Sequence, residues 1–137
     1  MQLPSSKTWF KLEGASAQAL RALADVATAG LPQEYLDLLA YSNGGEGPLP
    51  SPLHTLCLDD AQSAAEPRRV ALFEKLYPGW FVFGGNGGGE LYALDMRGNQ
   101  PWPVIRFDGI DPKGSVERVA PDFCGFMELM ATTDAVG

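Results

Sequence analysis

Apolar positions recur at helical spacing through the first third of the chain. Leu20, Leu23, Ala24 and Ala27 share one face of a 3.6-residue repeat, which predicts a helix over residues 16–29. Ser16 supplies an N-cap oxygen, and Gly30 stops the run at a position open to positive φ. Pro32 suits the first position of a second helix. Tyr35, Leu38 and Leu39 give that helix its apolar stripe, and Asn43-Gly44-Gly45 ends it. Residues 1–15 read as an irregular lead-in in which Trp9-Phe10 packs on the domain.

The period then changes. Residues 46–52 hold three prolines and read as a loop. Residues 53–58 are apolar and strand-length. Asp59-Asp60 opens a helical region to about Tyr77, which Pro67 divides into two pieces. Aromatic and β-branched residues make 80–83 a strand, and 84–89 is a glycine-rich turn. Over 90–96 the chain alternates, with Leu91, Ala93 and Asp95 opposed to Tyr92, Leu94 and Met96. Arg97-Gly98-Asn99 is another turn. Residues 102–107 form a strand near a sheet edge, because Pro101 and Pro103 cannot donate to a ladder. Residues 115–119 are a short strand or connector. Phe123, Phe126, Met127 and Met130 predict a terminal helix over 122–131, and 132–137 is a frayed tail.

Helices come first, then short strands on tight connections, then one helix. Strands joined this closely pair antiparallel, since parallel pairs need long crossovers. The expected fold is α+β: a single domain over 1–137, with an antiparallel sheet of about four to six strands and helices packed mainly on one face. Its core is expected to hold Tyr35, Leu38, Leu39, Phe81, Phe83, Leu91 or Tyr92, Phe123 and Phe126.

Composition narrows the function classes. Hydrophobic residues are 45% of 137, enough for a core without disulfides or a structural metal. Ten Lys and Arg against 17 Asp and Glu leave a net charge of −7. That excludes an ordinary nucleic-acid binder, which needs clustered cations, and argues against docking on anionic lipid. No apolar run reaches the roughly 20 residues that span a bilayer. Residues 1–6 lack a basic, then apolar, export pattern, so a cytoplasmic location is expected. Cys57 and Cys124 are then expected to be reduced and buried.

The candidate chemistry is sparse. The run at 84–89 lacks the Lys-Ser/Thr of a phosphate loop, a strand follows it, and Glu90 repels phosphate. It is a hairpin turn. His54 and Cys57 have H-x-x-C spacing, but one His and two Cys in all fall short of a zinc set. Nothing brings Cys124 near His54 as a nucleophilic pair. Asp108-Gly109-Ile110-Asp111 lacks the ligand series of a calcium loop and reads as a turn. Neither metal, cofactor nor catalytic residue is indicated. The sharper feature is charge: from Asp25 to Glu66 there are seven carboxylates and no Lys or Arg. Such a segment is either a solvated face or a surface for a basic partner.

An ordered set of short motifs resembles the SUKH superfamily, which includes the fungal cell-wall assembly regulators and many bacterial toxin-immunity proteins. The motifs are Leu31-Pro32-x-x-Tyr35-x-x-Leu38-Leu39, Ser42-Asn43-Gly44-Gly45-Glu46-Gly47, Phe83-Gly84 through Gly89-Glu90, Tyr92-Ala93-Leu94-Asp95 and Val119-Ala120-Pro121-Asp122-Phe123-x-x-Phe126. Pro121-Asp122 departs from the family's small polar cap, and the turn at 84–89 is unusually rich in glycine. The resemblance implies an α+β domain without catalytic residues. It also implies an immunity protein that neutralises a cognate toxin, or alternatively a regulatory scaffold or small-ligand-binding module of the same fold. For a basic nuclease-type toxin the expected contacts are Glu46, Asp59 and Asp60, with Glu34 and Asp37 next. Trp102 is either an aromatic anchor or a core residue.

Overall fold

The computed structural model describes residues 3, 4, 8–27 and 30–136, with side chains through Ala131. Part of the lead-in, residues 28 and 29 of the first predicted helix, and Gly137 of the tail lie outside the described residues. The first helix, α1 (Ala17–Ala24), starts as the sequence predicts: Ser16 accepts a hydrogen bond from the Ala19 N–H at 3.1 Å. It ends earlier than predicted. The ladder tightens to an i−3 bond, Val26 N–H to Leu23 C=O, and Gly30 is reached with φ +85°. Pro32 is the N-cap of α2 (Gln33–Tyr41) rather than its first residue.

Residues 46–52 are not wholly a loop. Strand β1 (Gly45–Pro48) pairs antiparallel with β2 (Thr55–Leu58). Two glycines and a proline give β1 no hydrophobic alternation, so only the pairing reveals it. Pro67 separates α3 (Ala61–Ala64) from α4 (Pro67–Leu76), as the sequence predicts. Strands β3 (Trp80–Gly85), β4 (Glu90–Asp95) and β5 (Val104–Asp108) follow, then a turn of helix α5 (Pro112–Ser115) and β6 (Glu117–Ala120). The long α6 (Phe123–Val136) runs past the expected end at 131.

The six strands form one antiparallel sheet in sequence order, β1 to β6. The 84–89 run is a hairpin turn built on Asn86, whose side-chain oxygen accepts from the Gly88 and Glu90 N–H groups. Strand β5 is interior, not an edge. Both prolines precede it, so no ladder donor is missing, and the Pro103 carbonyl still accepts from the Asp95 N–H at 2.9 Å.

One face of the sheet carries the larger core. Leu56, Leu58, Phe83, Tyr92, Leu94 and Val104 meet Leu23 of α1, Tyr35 and Leu38 of α2, Ala61 and Ala64 of α3, and Phe123, Phe126 and Met130 of α6. Tyr35 lies at the centre, its ring 5.5 Å from Phe123 and 5.8 Å from Phe81. The opposite face has a smaller cluster, in which Trp80, Val82, Ala93, Ile105 and Phe107 pack under Tyr77. Of the expected core, Phe81 and Leu91 are only partly buried, and Tyr92 rather than Leu91 is the enclosed residue. Cys57 and Cys124 are free, and each is partly exposed rather than buried.

The polar residues of the Ser42-Asn43 motif hold elements together. Ser42 is fully buried; its hydroxyl accepts from Trp9 Nε1 and the Leu12 N–H and donates to the Gly44 carbonyl. Asn43 Oδ1 accepts from the Ala61 N–H at 2.7 Å, which ties the end of α2 to the start of α3. The lead-in is docked at this point: Trp9 is buried, and the Phe10 N–H donates to the Glu46 carbonyl on the outer side of β1.

Candidate partner-binding surface

The acidic segment divides by what each carboxylate does. Asp59 follows β2 and is gripped by the guanidinium of Arg69 in α4. Asp60 caps α3, accepting from the Ser63 N–H at 3.1 Å and the Ser63 hydroxyl at 2.6 Å. Glu66 caps α4 by accepting from the Arg69 N–H at 2.9 Å. These three charges hold helix ends in place. Sequence reasoning that weighs charge alone does not separate them from the rest, although Asp60-x-x-Ser63 and Glu66-Pro67 are both cap spacings.

The remaining carboxylates of the segment are exposed or half-buried. Among the described residues, no Lys or Arg pairs with Asp25, Glu34, Asp37 or Glu46. Asp37 is exposed on α2 and accepts from the neutral Gln33 amide at 2.8 Å. Glu34 is one turn before it on the same helix side. Glu46 is exposed on β1, opposite Cys57 in the register and on the sheet face away from Leu56 and Leu58. The Cys57 thiol points to the Glu46 carboxylate at 3.9 Å. Burial, and then the negative charge of Glu46, push that thiol's pKa above the ordinary cysteine value. A raised pKa lowers the share of thiolate, the nucleophilic form.

Trp102 is only 5% exposed, and its Nε1 donates to the Gly98 carbonyl at 3.0 Å. It precedes β5 and does not stand out from an edge strand. The ring does line a cleft of about 230 Å³ with Glu34, Asp122 and Phe123, where α2 and α6 begin. The structure thus brings Trp102 and Glu34 together, and leaves Glu46 and the Asp59–Asp60 pair elsewhere.

A separate ionic group lies at the far end of the sheet. Arg106 on β5 reaches Glu117 at 2.6 Å and Glu90 at 3.4 Å. The cross-strand registers Glu90–Asp108 and Arg106–Glu117 assemble it, and short-range sequence spacing gives no sign of it. His54 is exposed, with φ 70°, in the turn before β2. Among the described residues, no three His, Cys, Asp or Glu side chains gather to hold a metal ion. No helix among them is long and apolar enough to cross a membrane.

The family described as SMI1/KNR4 (SUKH-1) matches residues 14–129, which takes in every motif from Leu31 to Phe126 and both sheet faces. No curated protein matches the chain.

Proposed function

The chain belongs to the SMI1/KNR4 family (SUKH-1), and from that premise we propose that it is a non-enzymatic binding protein of the cytoplasm. Members of the family bind partner proteins. More specifically, it is an immunity protein that neutralises a cognate basic toxin of nuclease type. The observation that carries this reading is the charge of Glu34, Asp37 and Glu46, which no cation pairs among the described residues, within a segment that holds no Lys or Arg. A nuclease must be cationic where it holds phosphates, and free carboxylates on an inhibitor occupy the same positions. The alternative, a small-ligand-binding module of the same fold, is favoured by the cleft that Trp102 shares with Glu34.

The experiment pairs the chain with the toxin encoded beside its gene. Glu34→Lys, Asp37→Lys and Glu46→Lys together should slow association several-fold at low salt, with the difference shrinking as salt screens it. Asp59 and Asp60 stay native in this variant because they hold α4 and α3. If the triple variant associates and protects as the unaltered chain does, the electrostatic reading fails.

A further inference from the structure

We propose that the cleft between α4 and the free part of β3 docks an extended segment of a partner protein that carries a large apolar side chain beside a lysine or arginine. Strand pairing is incomplete at this place, although Trp80 and Val82 are themselves buried. Strand β2 pairs with β3 only at Gly84 and Gly85, and the Asp59 N–H reaches the Phe83 carbonyl. Trp80, Phe81 and Val82 therefore have no strand on that side. The register with β4 fixes which backbone groups face outward. The Met96 N–H donates to the Gly79 carbonyl, and pairing continues with Phe81 opposite Leu94. Bonded pairs alternate along an antiparallel ladder, so Gly79 and Phe81 turn toward β4, while the Trp80 carbonyl and Val82 N–H turn away. A free edge of this kind is a template for one more strand.

Helix α4 crosses the edge without closing it. Its first turn is held to Asp59 by Arg69, and its far end brings Phe73 and Tyr77 to the smaller cluster on the other face. No residue of α4 is fully buried. Val70 and Phe73 instead face Phe81, Val82 and Met96 across a cleft of about 280 Å³. The charges there select the occupant. Arg69 is already engaged by Asp59, and Glu74 at the rim has no ion pair among the described residues. A segment that puts an apolar side chain into the cleft and a cation against Glu74 satisfies both. A second copy of this chain would instead bring a second charge of −7 to the same edge. The site goes beyond the electrostatic reading above: Glu34, Asp37 and Glu46 do not line it, so either can fail alone.

The test selects a displayed library of random linear heptapeptides against the full chain. Affinities of the synthetic peptides are then measured by calorimetry, and contacts are mapped on backbone amides by NMR. The selected peptides should pair a large apolar residue with a neighbouring Lys or Arg, and should shift and protect the Val82 amide. Glu74→Lys should weaken them by about three- to tenfold. Ala27→Trp, which fills the cleft from the segment after α1, should weaken them by about tenfold or more. If the tryptophan variant does not fold, Glu74→Lys and the amide map decide. The proposal is overturned if no peptide is selected, or if the peptides map elsewhere or bind the folded variants unchanged. It is equally overturned if the chain proves to be a dimer that the cleft variants dissociate.

Discussion

Arg69 in the first turn of α4 holds the carboxylate of Asp59 beside the end of β2, so one of the acids that charge counting offers to a partner works inside the fold. The two side chains are 24% and 27% exposed. Asp59→Lys removes the attraction, adds a like charge and leaves Arg69 half-enclosed. It should lower stability by about 1–3 kcal/mol. Glu46→Lys, on an exposed face, should change stability by no more than about 0.5 kcal/mol. Urea unfolding of the two variants side by side checks the contrast, and equal losses would contradict it.

Tyr35 is fully enclosed in the main core, and its hydroxyl has no hydrogen-bond partner among the described residues. Burial chiefly, and then the charge of Asp59, hold that hydroxyl well above the ordinary tyrosine pKa. A buried, unmatched hydroxyl costs its desolvation with nothing in return. Tyr35→Phe should therefore raise stability by about 1 kcal/mol. Equilibrium unfolding measures this, and a loss would show that the oxygen has a partner.

Tyr92 gives the fold an alkaline limit. Burial is the main cause that pushes its pKa up to about 12; Arg106 opposes the shift and Glu90 adds to it. The unfolded chain ionises this group near pH 10. The raised folded value means that its contribution to stability is full below about pH 10 and is lost as pH rises toward about 12. Tyr92→Phe should flatten the stability curve in that window. Denaturant midpoints taken across it should show a smaller decline for the variant than for the unaltered chain.

Gly45 cannot carry a side chain. Its φ is +106°, and a Cβ there would overlap the Phe10 carbonyl and crowd Trp9 Nε1 at 3.1 Å. Gly45→Ala should cost about 2 kcal/mol or more, by combining backbone strain with displacement of the lead-in. At Gly98 nothing lies within 4 Å and no positive φ is required. Gly98→Ala should shift stability by less than about 0.5 kcal/mol. Thermal melts of both variants test the difference, with near-ultraviolet dichroism of Trp9 as a second readout of docking.

The parts legible in sequence were those written in local spacing. The Ser16 cap, the Pro67 break, the turn at 84–89 and the terminal aromatic stripe each depend on residues within a few positions of one another. Strand β1 was not legible, because Gly45-Glu46-Gly47-Pro48 becomes a strand only through its partner β2. The prolines that flank Trp102 point to an edge strand, yet the strand begins after the second proline. For the candidate surface, charge counting found the acidic segment but not its division. Asp59 meets Arg69 ten positions on, across a helix that the count does not fold. The free edge of β3 is likewise a property of where β2 stops, which no run of residues announces.

The sequential order of the strands bears on how the chain assembles. Every ladder joins neighbours along the sequence; the step from β2 to β3 spans α3 and α4, and the step from β5 to β6 spans the single turn α5. Joining neighbours closes short loops, which costs little chain entropy. The meeting of Phe123 with Tyr35 is different, since it joins α6 to α2 across the whole sheet-forming stretch. The sheet can thus be built from neighbour to neighbour, whereas docking the last helix on the second closes a far longer loop at a larger entropy cost.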